Sequence, residues 1–140
     1  MLKKILVLLV IAWFLSCHKY QQQSVCGTGT KACTDIFVTV GIHFTDNTGK
    51  AIAVQNFSAV NQRTHLNLMR TIPQNEMLIL GFYIVADDSM LSQLSTDGDD
   101  VLVTATDPTT NQTKSVTLKI SGGCNCHVSK LSGPDTVAFD

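Results

Sequence analysis

The chain has 140 residues, 44% of them hydrophobic, and a formal net charge of −1, which is enough material for one domain with a modest core but too little for two. It contains no stripe of Lys and Arg with interleaved aromatic side chains, which argues against nucleic acid as a partner.

The first sixteen residues predict an export signal. Lys3 and Lys4 give a positive start, and the apolar run from Ile5 to Leu15 is too short to cross a bilayer core, for which about 20 residues are needed. We therefore predict a signal peptide at residues 1–16. The chain from residue 17 onward has eight Lys and Arg against eleven Asp and Glu, which is a formal charge of −3.

The junction Leu15-Ser16-Cys17 resembles the lipobox of bacterial lipoproteins, in which a small residue precedes the cysteine that accepts the lipid. The resemblance implies lipidation of Cys17, and several acyl chains on one cysteine give a durable anchor. It also implies an outer-membrane lipoprotein, on the periplasmic face or the cell surface, because His18 is not the aspartate that retains some lipoproteins at an inner membrane. An ordinary signal peptide, with Cys17 as a thiol, is the alternative.

After a polar tether at residues 17–25, apolar residues alternate with a period of two, which is typical of β-strands in one folded domain at residues 26–140. From Ile36 to Phe44 the alternate apolar side chains would face inward, and the run at residues 77–86 predicts a strand near the centre of the fold. Strands are predicted at residues 36–44, 51–60, 77–86, 101–106, 114–120, 127–131 and 136–139, with one short helix at 87–94. The fold class is therefore all-β, an Ig-like or transthyretin-like antiparallel β-sandwich of about seven strands.

The segment from Val38 to Val54, with the turn Asp46-Asn-Thr-Gly-Lys50 between two strands, resembles the opening hairpin of carboxypeptidase-regulatory-like and transthyretin-like sandwiches. With the lipobox, this makes the chain similar to small lipoproteins of Gram-negative bacteria that carry such a domain. The resemblance implies a non-catalytic binding or structural accessory module, with an envelope protein or a glycan as partner. It implies no catalytic residue and no cofactor.

Four cysteines remain after Cys17, namely Cys26, Cys33, Cys124 and Cys126, and an even number in an exported domain favours disulfides. Two residues apart on an extended strand, Cys124 and Cys126 would have Cα atoms about 6.6 Å apart. A bond between them would be strained, because that separation lies at the far end of the usual range. We expect each to pair with Cys26 or Cys33, and both such connectivities remain open.

A second interpretation makes Cys124, Cys126 and His127 part of a small metal-binding or hydrolytic site, with an upstream cysteine as a fourth zinc ligand. Structural zinc sites usually present Cys-x-x-Cys, and the spacing here is one residue short. The acidic residues at 87–88 and 97–100 likewise do not match a calcium loop. We therefore expect no metal, and His127 has no predicted role.

No Gly-x-Ser-x-Gly turn is present, and no catalytic residue is predicted. The tripeptides Asp88-Ser89-Met90 and Asp135-Thr136-Val137 resemble the acceptor pattern of an O-glycosylation system found in one large group of Gram-negative bacteria. That resemblance implies glycans on Ser89 and Thr136. The alternative is that Ser89 helps to cap a helix and Thr136 opens a strand.

Overall fold

The computed structural model describes residues 26–27, 31–69 and 80–140 of the chain. The predicted signal peptide, the lipid acceptor Cys17 and the tether at 17–25 all lie outside the described residues. Within the described ranges, no helix has both the length and the apolar character that crossing a bilayer requires.

Within the described residues, seven strands form two sheets. The strands are β1 (Thr39–Thr45), β2 (Gln55–Asn61), β3 (Phe82–Asp87), β4 (Asp99–Thr106), β5 (Thr113–Ser121), β6 (Ser129–Ser132) and β7 (Thr136–Ala138). One sheet has the order β3-β1-β7 and the other β2-β4-β5-β6, and a 3₁₀ helix at Asp88–Gln93 connects β3 to β4. The predicted all-β sandwich with one short helix is confirmed, although β7 pairs with β1 in parallel rather than antiparallel fashion.

The core lies between the two sheets, and the period-two alternation decides which side chains enter it. In β1, Val40, Ile42 and Phe44 are buried, as predicted, while the residues between them face outward or lie part-buried. The centroid of the Phe44 ring lies 6.0 Å from that of Phe57 in β2 and 6.0 Å from that of Phe139, which directly follows β7. Each fully buried side chain of this size stabilises the fold by about 1.5 to 3 kcal/mol, so this cluster holds the sheets together.

The first strand begins at Thr39, three residues later than the alternation predicts. Ile36 and Phe37 are each 62% exposed. The backbone of Val38 is engaged elsewhere, because its N–H donates to a carboxylate oxygen of Asp88 at 2.8 Å and its carbonyl accepts from the Asp88 N–H. The segment before β1 is therefore attached to the 3₁₀ helix.

The turn after β1 forms as predicted, but the strand after it is shorter. Asp46 Oδ1 accepts from the N–H groups of Thr48 and Lys50. Antiparallel pairing across the turn is limited to one bridge, Thr45 to Ala51. The chain then crosses to the other sheet, where β2 begins at Gln55.

One later prediction about strand placement was wrong. The run at residues 77–86, expected near the centre, gives β3, which starts at Phe82 and lies at an edge of the three-stranded sheet; residues 77–79 lie outside the described ranges. The last two strands lie in different sheets, since β6 pairs with β5 and β7 pairs with β1. A local alternation pattern specifies a strand and its buried face but not its neighbour.

The sandwich has two ends that matter for function. We call one the clasp end: it contains the segment before β1, the 3₁₀ helix and residues 94–98 and 122–128, joined by bonds such as Gly123 N–H to the Leu91 carbonyl. The other is the distal end, which contains the turn at 46–50, the loop at 107–112 and residues 139–140. There, Phe139 N–H donates to the Thr45 carbonyl and Lys114 Nζ donates to the Ala138 carbonyl.

Candidate functional site at the clasp end

Two disulfides attach the segment before β1 to the loop between β5 and β6. Cys26 bonds Cys124, with 5.2 Å between their Cα atoms, and Cys33 bonds Cys126, with 5.4 Å. Both separations are ordinary for disulfides. The prediction that each C-terminal cysteine pairs with an N-terminal one is confirmed, and the structure selects one of the two connectivities that the sequence left open.

The pairing predicts a specific mass for the exported protein. Under non-reducing conditions its intact mass should be four hydrogens below that of the reduced form, because two disulfides have formed. Alkylation without prior reduction, followed by peptide mapping, should leave all four half-cystines unlabelled. A label on any one of them would contradict the presence of both disulfides.

The loop that carries Cys124 and Cys126 is held tightly against the 3₁₀ helix and the residues after it. Gly123 adopts a φ of +59°, and a Cβ atom there would come within 2.7 Å of the Thr96 side chain. A Cβ atom on Gly122 would come within 2.8 Å of Leu94. The Cys124 N–H donates to Thr96 Oγ1 at 3.1 Å. The two glycines therefore permit a close approach that larger residues would block.

His127 lies between Asp88 and Thr34. Its Nδ1 is 2.8 Å from Asp88 Oδ2, and its Nε2 is 2.8 Å from Thr34 Oγ1. The side chain of His127 is 21% exposed and that of Asp88 is 12% exposed, while Thr34 is at the surface. The three polar groups thus form a line from solvent toward the interior.

Asp88 is held as a carboxylate by its surroundings. Burial works to raise its pKa, but hydrogen bonds from the Val38 N–H, the His127 ring and the Val128 N–H outweigh burial and keep the pKa below its ordinary value. The carboxylate is therefore ionised at neutral pH and can only accept hydrogen bonds.

The charge state of Asp88 fixes the roles of the two ring nitrogens. Since the carboxylate only accepts, His127 Nδ1 must donate the proton that they share. In the neutral imidazole that proton is the single ring proton, so there Nε2 carries a lone pair and accepts from the Thr34 hydroxyl. That is the orientation in which an imidazole can act as a general base toward a hydroxyl.

The zinc interpretation of Cys124, Cys126 and His127 is not supported by this geometry. Both sulfurs are in disulfides, so neither is a thiolate, and both nitrogens of His127 have hydrogen-bonding partners. Across residues 26–27, 31–69 and 80–140, no group of three or more His, Cys, Asp or Glu side chains is placed to hold a metal ion.

The two residues predicted as glycan acceptors lie in different elements, Ser89 in the 3₁₀ helix and Thr136 in β7. Ser89 is exposed in the first turn of the 3₁₀ helix, where its hydroxyl and its N–H both bond Asp87 Oδ1. Thr136 is exposed at the first position of β7, opposite His43. Asp87 rather than Ser89 is therefore the N-cap of the helix, Ser89 lies at the helix start and Thr136 opens a strand, and glycosylation stays a prediction.

Sequence reasoning did not predict that Thr34 and Asp88 would contact His127. A signal was present, because Thr34 follows Cys33 and His127 follows Cys126. Once those two cysteines are known to be bonded, their neighbours must lie close together. The connectivity itself could not be derived from spacing.

The fold and its disulfides define a class: an all-β sandwich, with seven strands in the part of the chain that the structure describes, in which two disulfides fix the segment before β1 to the loop between β5 and β6. No protein-family model, no curated protein and no solved structure matches the chain. Its function is therefore argued from the chemistry and geometry of its own residues.

Proposed function

We propose that the protein is a lipid-anchored envelope lipoprotein that serves as a non-catalytic binding or structural accessory module. The observation that carries the proposal is the pair of disulfides, because such bonds persist in oxidising compartments outside the cytoplasm. They agree with the export signal at residues 1–16 and with the lipobox at Cys17. The anchor, the outer membrane and the partner are parts of this proposal.

The position of Cys26 supports a particular orientation on the membrane. The disulfide to Cys124 fixes Cys26 at the clasp end, and Cys17 precedes Cys26 by only nine residues. Nine residues span at most about 30 Å even when fully extended. A lipid on Cys17 therefore keeps the clasp end beside the membrane, and the distal end faces away from it.

The distal end is the better surface for a partner. Its loops are short and internally bonded: Asp107 N–H donates to the Gln112 carbonyl, and the Gln112 side chain bonds Asp140. Loops held by a rigid scaffold commonly carry binding. Hydroxyl and amide side chains such as those of Thr109 and Asn47 predominate there, which favours a hydrogen-bonding ligand. We therefore propose a glycan of the envelope in preference to an envelope protein.

The anchor is tested by metabolic labelling with a palmitate analogue. The wild-type chain should incorporate the label and sediment with membranes. Exchange of residues 1–16 for an ordinary cleavable signal peptide, combined with Cys17→Ser, should abolish labelling and move the protein to the soluble fraction. Intact mass serves as the control, because both disulfides should form in each version. Label retained after Cys17→Ser would contradict lipidation at that residue.

The orientation is tested by photo-crosslinking in the native envelope. A photoreactive residue at Thr109, exposed at the distal end, should give several-fold more adduct than one at Ser92, exposed at the clasp end. Digestion of the adduct with glycan-degrading enzymes or with proteases distinguishes a glycan from a protein. Equal adducts from both positions would argue against distal binding.

A further inference from the structure

The line of polar groups at the clasp end has the composition of a nucleophilic site. A surface hydroxyl on Thr34 bonds an imidazole nitrogen of His127, and the other imidazole nitrogen bonds the carboxylate of Asp88, with 2.8 Å at each step. Hydrolases that attack through a hydroxyl use a hydroxyl, an imidazole and a carboxylate in this order, and the arrangement is recognised by geometry rather than by sequence position.

We infer that Thr34 is a nucleophile activated by His127, and that this site hydrolyses esters of carboxylic acids. The inference adds a catalytic activity at the clasp end to the binding role proposed for the distal end, so the description as non-catalytic then applies to the distal end alone. It depends neither on the lipid nor on the distal loops. In it, Thr34 and His127 are the catalytic residues. Asp88 is a positioning residue, because it acts through the imidazole.

Independent restraints hold Thr34, His127 and Asp88 in position relative to one another. The disulfide between Cys33 and Cys126 joins the residues immediately before Thr34 and His127. Asp88 is fixed from the other side by hydrogen bonds from the Val38 and Val128 N–H groups, at 2.8 and 2.9 Å. A nucleophile and its base that are held in place before substrate arrives avoid the entropic cost of assembling them.

A purely structural role explains this hydrogen bond less well. An ordinary intramolecular hydrogen bond contributes little net stability, and less is expected where one partner is exposed. The adjoining disulfide between Cys33 and Cys126 already fixes the same two segments covalently. The contact between Thr34 and His127 therefore adds little to the attachment.

The surroundings of Thr34 indicate the class of ester. Ile36 and Phe37 are both 62% exposed, so they offer apolar surface two and three residues along the chain from Thr34. The hydroxyl itself faces solvent, so a substrate can approach it. An ester with a short apolar acyl chain fits this combination better than a charged one.

The reaction balances without any further reagent. As Thr34 Oγ1 bonds the acyl carbon, its proton passes to His127 Nε2. The C–O bond to the leaving alcohol then breaks, and the imidazolium returns that proton to the departing oxygen. A water molecule next attacks the Thr34 ester, giving one proton to His127, and the carboxylic acid leaves as Thr34 regains its hydroxyl proton from the imidazole.

The test uses the full chain, exported and purified with both disulfides formed, and p-nitrophenyl butyrate as the substrate. Thr34→Val, which keeps the shape of the side chain, and His127→Ala should each lower kcat/KM at least about 100-fold. Thr34→Ser should retain activity. His65→Asn is the matched control for adventitious hydrolysis by a surface imidazole, because His65 is exposed at a φ of +58° that Asn tolerates.

Covalent labelling provides a second measurement that identifies the nucleophile directly. A fluorophosphonate should label the wild-type chain on the peptide that contains Thr34, and Thr34→Val should abolish that label while its intact mass still shows two disulfides. Full activity in Thr34→Val, a label that maps elsewhere, or neither turnover nor label in the folded wild-type chain would overturn the inference.

Discussion

Loss of both disulfides is expected to lower the free energy of unfolding by about 7 kcal/mol, whereas loss of either one alone should lower it by only about 3 kcal/mol. The bonded cysteines are 98 and 93 residues apart, so the first bond to form constrains a long loop of the unfolded chain. In the chain-entropy treatment that bond contributes about 4 to 5 kcal/mol. The second then closes a ring of only roughly ten residues, which contributes about 3 kcal/mol.

The contributions of the two disulfides to the free energy of unfolding are therefore strongly non-additive. Either disulfide alone supplies most of the stabilisation that the pair supplies. Domains of this size are stable by about 5 to 15 kcal/mol in total, so the chain without both bonds should be close to unfolding, while each single-bond form should remain folded. One intact disulfide is enough to keep the N-terminal segment on the sandwich.

Urea unfolding under non-reducing conditions measures these differences. The variants are Cys26→Ser with Cys124→Ser, Cys33→Ser with Cys126→Ser, and all four together. The half-cystines are exposed or part-buried, so serine itself perturbs packing little. A different result would be a loss of about 4 to 5 kcal/mol of unfolding free energy in each double variant, with the fourfold variant losing the sum. That result would contradict the explanation that one bond already closes most of the loop that the other would close.

The parts of the fold that were predictable from sequence are those set by local patterns. The segments at 101–106 and 114–120 alternate cleanly and are separated by a polar stretch with Pro108, and they form the antiparallel pair β4 and β5. The inward face of β1 followed from the same alternation. In each case the side chains themselves decide the buried face, because successive residues of a strand point to opposite sides.

The unpredicted parts depend on contacts between distant residues. Alternation continues through Ile36 and Val38, yet β1 starts later because Asp88, fifty positions along the chain from Val38, takes the Val38 N–H. Likewise, nothing near Arg63 in the sequence indicates that its guanidinium reaches Asp99. No pattern of hydrophobic residues encodes such pairings, since each requires the sheets to be assembled first.

The candidate site was predictable only in part, for the same reason. The expectation that a bond between Cys124 and Cys126 would be strained directed both toward the N-terminal cysteines, although it assumed an extended strand and the two residues lie in the loop between β5 and β6. Spacing could not distinguish a bond from Cys33 to Cys126 from one to Cys124, and that choice decides whether Thr34 meets His127. The contact of His127 with Asp88 depends in turn on where the 3₁₀ helix lies against the loop.

Replacing Asp99 by Asn should lower the free energy of unfolding at neutral pH by about 3 kcal/mol. The Asp99 carboxylate is buried at the start of β4, where it accepts from Arg63 Nε and Nη2, both at 2.7 Å, from Asn61 Nδ2 at 2.8 Å and from the Ser95 N–H at 3.0 Å. It thereby joins the end of β2, the loop after it and the segment after the 3₁₀ helix. An asparagine has the same shape, but its NH₂ group donates, so it cannot accept from donors on that side.

Equilibrium unfolding of Asp99→Asn should be compared with that of Asp100→Asn. Asp100 is the next residue and is exposed, so its substitution removes one negative charge from almost the same place without removing a buried acceptor. We expect a change within about 0.5 kcal/mol for this control, as is usual for surface substitutions. Equal effects of the two substitutions would show that net charge, rather than the hydrogen bonds of Asp99, is responsible.

The same network makes stability fall in acid over a defined range. Burial of Asp99 works to raise its pKa, but hydrogen bonds from Arg63, Asn61 and Ser95 outweigh burial and lower the pKa to about 2, from 3.8. A lowered pKa stabilises the fold above the unfolded value, and this contribution is lost as pH falls from about 4 through 2. It amounts to roughly 2 kcal/mol, since one pKa unit corresponds to about 1.4 kcal/mol. The difference in free energy of unfolding between wild type and Asp99→Asn should therefore shrink by that amount between pH 5 and pH 2. A difference independent of pH would show that Asp99 is ionised to the same extent in the folded and the unfolded chain.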